Sequence, residues 1–230
     1  MIQYKIEYDR RKGAVSVAEE NNLKKLAALI AGVEPADWDE LPDIGLYMDQ
    51  VIGLLNRKLS PLTMGRDETP LTPNMINNYV KSGHISRPRR KKYSREQLAA
   101  LYMLCSLKGT LSVTDSAALI YFLTEQEGTS DAYQRFVSLQ RECLLQVEEQ
   151  LSAMSDEPDT AELTDLALEL AQHACAERLA AEAVISYLII KDDANMARRR
   201  AEAEAAFRAE EESDRAGRRA GRKRKSEEEA

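Results

Sequence analysis

Four polar side chains repeat at helical spacing near the middle of the chain. At 100° per residue Asn74, Asn77, Asn78 and Lys81 fall on one side of a helix, and Met75, Ile76, Tyr79 and Val80 fall on the other. One side carries amides and an ammonium without a carboxylate, and the opposite side is apolar. Asparagine pairs with adenine through two hydrogen bonds, and lysine reaches guanine or phosphate, so this face has the chemistry to read base edges in a major groove. Arg87, Arg89, Arg90, Lys91, Lys92 and Arg95 follow closely. Cations grouped this way release condensed counterions from phosphates and grip a nucleic-acid backbone.

The net charge of −7 is unsuited to such a task until it is divided along the chain. Residues 1–62 carry −2, residues 63–109 carry +6, residues 110–190 carry −12 and residues 191–230 carry +1. Between Thr69 and Arg95 there is no acidic residue at all. Fields are screened beyond about 10 Å in ordinary salt, so a polyanion responds to this local patch and not to the chain average. A charged loop by itself is ordinarily a solvated surface. An acid-free stretch joined to an Asn/Lys helix face argues instead for a nucleic-acid partner.

The elements that position these residues follow from caps and periodicity. Thr72-Pro73 starts the short helix with a hydroxyl cap and a proline where no N–H is needed, and Gly83 closes it. The segment HISRPRRKKYS is too short and basic for a helix and reads as a loop or a tiny two-stranded wing. Ser94 caps the next helix with Gln97 three residues on, and Tyr93 and Leu98 form a hydrophobic staple. Leu98, Leu101, Tyr102 and Cys105 carry that helix into the core. Upstream, Ile44, Tyr47, Met48, Val51, Ile52, Leu55 and Leu59 share a helical face, with Asp43 as the expected N-cap. An earlier helix is expected over 16–31, after an undetermined arm.

Downstream no glycine falls between Gly128 and Gly217, and the composition is rich in Ala, Leu, Glu and Gln. This disfavours turn-rich sandwiches and doubly wound sheets and predicts an all-α chain. Helices are expected over 113–124, 131–154 and 160–190, the last largely buried because it is apolar on several sides. Tyr133, Val137, Gln140, Leu144, Val147, Leu151 and Met154 keep heptad spacing, which predicts pairing within the lobe or between two subunits. Residues 191–230 are low-complexity Ala, Arg and Glu and read as a charged, partly disordered tail.

The order Tyr79, Gly83, Ile85, Pro88, Tyr93-Ser94, Leu98 and Leu101 resembles the DNA-binding domain of MerR-type regulators. The longer stretch LPDIGLYMDQVI through KKYSREQLAALYML is similar to an uncharacterised bacterial family of MerR-like domains of unknown function. That resemblance covers roughly residues 41–125. It implies a winged helix-turn-helix, dimeric DNA binding, and a place for Tyr79 near a phosphate beside the six cations. The chain departs from the pattern at Val80, where an acidic residue usually stands, and in a shorter wing. About a dozen residues separate Leu59 from Thr72, where a helix-turn-helix has a turn of three or four.

The organisation expected is thus an N-terminal arm and helix over 1–40, a MerR-like helix-turn-helix domain over 41–125, a helical dimerisation or sensing lobe over 126–190, and the tail. The partners expected are double-stranded DNA and a second copy through the C-terminal helices, in the role of a transcriptional regulator. The alternative is a protein-interaction module whose basic surface docks an acidic partner. No nucleophile elbow, phosphate loop or zinc-protease motif appears, so no catalysis, cofactor or metal is expected. Cys105, Cys143 and Cys175 read as buried thiols in a reducing, cytoplasmic setting, and His173 as a core or interface residue. No apolar run of about 18 residues suggests a membrane span.

Overall fold

The computed structural model describes residues 23–63, 70–155 and 157–193, and the regular structure among them is helical. The chain divides into two units, Met1–Glu182 and Ala183–Ala230. The first contains α1 (Leu23–Ala31), α2 (Met48–Leu59), α3 (Pro73–Lys81), α4 (Arg95–Leu107), α5 (Val113–Glu127) and α6 (Thr129–Ser152), with single 3₁₀ turns at Trp38–Glu40 and Ser60–Thr63. Residues 160–182 of this unit are helical as well, and in the second unit residues 183–193 are helical. None of the described helices is long and apolar enough to cross a membrane. The alternating residues of the N-terminal arm, the first turns of the expected 16–31 helix and residues 194–230 of the tail lie outside the described residues.

Helix starts follow local chemistry. The Thr72 hydroxyl accepts from the Met75 N–H at 3.3 Å, with Pro73 in the first turn. At α4 the Ser94 N–H donates to Gln97 Oε1 at 2.9 Å, one arm of a capping box. The Ser112 hydroxyl caps α5 through the Asp115 N–H at 3.0 Å. Gly128, at φ 78, is the one-residue break between α5 and α6, so both run closer together than expected.

One core collects α2 to α6. It joins Ala36, Val51, Leu55, Ile76, Tyr93 and α4 residues Leu98 to Cys105 with Ile120 of α5 and Tyr133 and Val137 of α6. Tyr102 and Tyr133 are both fully buried, their rings 5.8 Å apart and edge-on. Each phenol is hydrogen-bonded. Tyr133 donates to the Ala36 carbonyl at 2.8 Å and Tyr102 to Gln140 Oε1 at 3.2 Å. The packing continues past residue 125, so the basic segment and the start of α6 share one interior.

Several expectations are corrected here. Asp43 does not cap α2, which starts at Met48 with Tyr47 at the N-cap position; Ile44 and Tyr47 are exposed. Cys105 is buried, and burial pushes its thiol up to about 11, but Cys143 and Cys175 are exposed. The helix over 160–182 is not buried: Leu163, Leu168 and Leu179 all face solvent, and so does His173. Its expected burial followed from composition, and composition supplies no opposing surface. The heptad face of α6 is turned inward, Tyr133, Val137 and Leu151 being buried, and α6 packs against α1, α4 and α5. The buried part of that face pairs within the chain, and Gln140, Leu144, Val147 and Met154 are half-buried.

Candidate nucleic-acid interface

The α3 helix divides as its sequence requires. Ile76 and Tyr79 are buried, Met75 and Val80 are half-buried, and Asn74, Asn77, Asn78 and Lys81 are exposed. Tyr79 is 6% exposed and sits with the core, where desolvation pushes its phenol up to about 12. The residue therefore shares the apolar side of α3 and not the amide side.

A long connector precedes α3, yet its end is held tightly. The Asn56 side chain on α2 behaves like a strand partner for Leu71: its Nδ2 donates to the Leu71 carbonyl at 2.9 Å, and its Oδ1 accepts from the Leu71 N–H at 2.8 Å. Lys108 Nζ donates to the Pro70 carbonyl. These bonds tie the end of the connector to α2 and to the C-terminal end of α4. Sequence reasoning missed Asn56, because an amide on a helix carries no signal for a partner fifteen residues away.

Gly83, at φ 80, turns the chain out of α3, and the Ile85 N–H closes on the Tyr79 carbonyl at 3.1 Å. The segment beyond is a small hairpin. Leu46 and Tyr93 form an antiparallel bridge with paired bonds of 3.0 and 2.8 Å, and Arg89 and Lys92 form a second bridge. Of the loop or tiny two-stranded wing expected from sequence, the structure shows a tight turn closed by a single bridge, without a strand. Gln97 fastens its base. The buried Nε2 donates to the Ser86 carbonyl at 2.7 Å and to the Ser86 hydroxyl at 3.1 Å, while Oε1 caps α4. Gly45 permits the close approach, since a Cβ there would lie 3.0 Å from Lys92 Cβ. The Lys92 ammonium lies 5.2 Å from the centre of the Tyr47 ring.

The hairpin and α3 meet around an open depression of about 560 Å³, lined in part by Tyr47, Asp49, Asn77, Arg87, Lys91 and Tyr93. Asn77 thus shares a surface with two hairpin cations. Lys81, Arg87, Arg89, Arg90, Lys91 and Lys92 are all exposed and make no ion pair among the described residues. Arg95 differs: its guanidinium lies over the Trp38 ring, 5.5 Å from the centre, and its Nε is buried without a partner. It braces the start of α4 and is half-buried, where the other six are exposed. At the same helix end the Ser94 hydroxyl holds the Glu96 carboxyl below the usual carboxylate range. No cluster of His, Cys, Asp or Glu among the described residues is arranged to hold a metal ion.

Residues 36–136 match a family described as a domain of unknown function (DUF1836). The matched span includes every residue of this surface and the start of α6. No curated protein and no solved structure matches the chain.

Proposed function

We propose that this chain is a sequence-specific double-stranded DNA-binding transcriptional regulator built on a MerR-like winged helix-turn-helix. In this reading α3 enters the major groove, Asn74, Asn77, Asn78 and Lys81 meet base edges, and hairpin residues 84–93 lie along phosphates. One observation carries it: Asn77 of the exposed amide face and the hairpin cations Arg87 and Lys91, which make no ion pair among the described residues, line one depression. A solvated loop would ordinarily mix signs; this surface holds Asp49 as its lone lining carboxylate. Tyr79 and Arg95 drop out of the phosphate set, the first as core and the second as a Trp38 stack.

The reading includes a homodimer acting in the cytoplasm. With much of the α6 heptad face turned inward, the exposed Leu168 and Leu179, which share one side of the helix over 160–182, are the surface for a second copy. A two-fold pair would suit a palindromic site. The acidic residues of that helix disfavour DNA or an acidic protein as its occupant.

A salt series on the full chain tests the DNA reading. Four to six phosphate contacts give a slope of log K against log salt of roughly −4 to −5 per subunit. Replacing Asn77 and Asn78 with Ala should erase the preference for a selected sequence and leave affinity for random duplex largely intact. Equal loss on all duplexes refutes base reading, and binding to an acidic polypeptide but to no duplex favours the docking alternative.

A further inference from the structure

Among the six exposed cations, two differ in backbone conformation. Arg90 has φ 51 and Lys91 has φ 63, at the centre of a turn closed by the Lys92 N–H on the Arg89 carbonyl at 3.0 Å. Two consecutive positive φ values are the signature of the tight hairpin turn that favours Asn-Gly, Asp-Gly or Gly-Gly. A Cβ in this region crowds the following carbonyl, and Arg and Lys lack the short polar group with which Asn or Asp offsets that strain. Both side chains are exposed and make no hydrogen bond or ion pair among the described residues, so the fold gains nothing visible from them.

Such a conformation persists only where its surroundings over-determine it. Here the base of the hairpin is fixed by the Leu46–Tyr93 bridge, the Gln97–Ser86 bonds and the Ile85–Tyr79 bond. A rigid base closed by a two-residue turn leaves positions 90 and 91 no other backbone. Arg87, Arg89 and Lys92 carry similar charge without a positive φ, so charge alone does not explain why cations occupy the two positions where they fit worst.

We propose that Arg90 and Lys91 form a preset cationic tip that contacts duplex DNA phosphates, kept at the cost of fold stability, so that affinity and stability oppose each other at this turn. The inference rests on the DNA reading above and adds to it a ranking of the cations and a linkage to folding.

The test uses the full chain carrying Arg90→Asn with Lys91→Gly, beside a control carrying Arg87→Gln with Arg89→Gln. Both remove two charges; only the first relieves the turn. For the tip variant, urea unfolding should show the folded state favoured by roughly fivefold or more over the parent. Its affinity for a random-sequence duplex should fall roughly tenfold, and the salt slope should shrink by about two. The control should lose affinity with no gain in stability. A tip variant no more stable than the parent overturns the proposal. A tip variant that is more stable yet binds duplex as tightly as the parent overturns it too, and leaves the α3 reading standing. A parent chain that binds no duplex overturns both.

Discussion

Gln97 is the side chain through which the hairpin can be loosened without touching a cation. Its amide makes three bonds: Oε1 accepts from the Ser94 N–H at 2.9 Å, and Nε2 donates to the Ser86 carbonyl at 2.7 Å and the Ser86 hydroxyl at 3.1 Å. Gln97→Leu removes all three and leaves a part-buried N–H and carbonyl without partners. At about 1 kcal/mol per net bond plus the desolvation of the orphaned groups, the loss is about 2–4 kcal/mol. For a unit of this size each kcal/mol lowers Tm by about 2–4 °C. Gln97→Glu separates the two ends of the residue. Its carboxylate still accepts from Ser94 but opposes the Ser86 carbonyl, so the cap survives while the hairpin anchor is lost, at about 1–3 kcal/mol. The introduced carboxyl, buried and facing a carbonyl, has its pKa raised in the folded state relative to the unfolded chain. Its destabilisation is therefore complete above the folded pKa and is relieved as pH falls, when the protonated group donates to Ser86. Urea unfolding of parent and both variants at several pH values, with duplex affinity measured in parallel, checks the argument. Gln97→Leu unfolding within 0.5 kcal/mol of the parent, or Gln97→Glu showing no relative recovery as pH falls, refutes the anchoring role.

Other outcomes follow from the same geometry. Tyr133→Phe orphans the buried Ala36 carbonyl and should destabilise the fold by about 1–3 kcal/mol in denaturant titration, with duplex affinity unchanged. Gly45→Ala brings a methyl to 3.0 Å from Lys92 Cβ and should displace the hairpin, weakening duplex binding more than it lowers Tm. Glu40 is held below the usual carboxylate range by the Asp37 N–H and then by Lys58, so the stability it lends is present at neutral pH and lost as pH drops through its folded pKa. Glu40→Gln should flatten the acid limb of the stability profile. Leu168→Glu with Leu179→Glu should yield a monomer by mass in solution if that helix pairs two copies; a parent already monomeric at micromolar concentration, free and on DNA, ends the dimer proposal.

Much of the local structure was legible from sequence alone. The two-sided character of α3, its Thr72-Pro73 start, the Ser94–Gln97 cap and the all-helical class all rest on contacts within four residues, where spacing and side-chain type suffice. The acid-free stretch is likewise a property of sequence. What lies opposite a given face is not, because that depends on contacts between distant segments. The Leu46–Tyr93 bridge joins positions 47 residues apart, and Tyr133 reaches Ala36 across 97. Only the folded chain showed that Asn56 holds Leu71, that Arg95 stacks on Trp38, and that much of the α6 stripe is turned inward while the apolar helix at 160–182 faces solvent. Periodicity says which side chains share a face; burial requires a surface to meet it, and tertiary packing alone determines where that surface is.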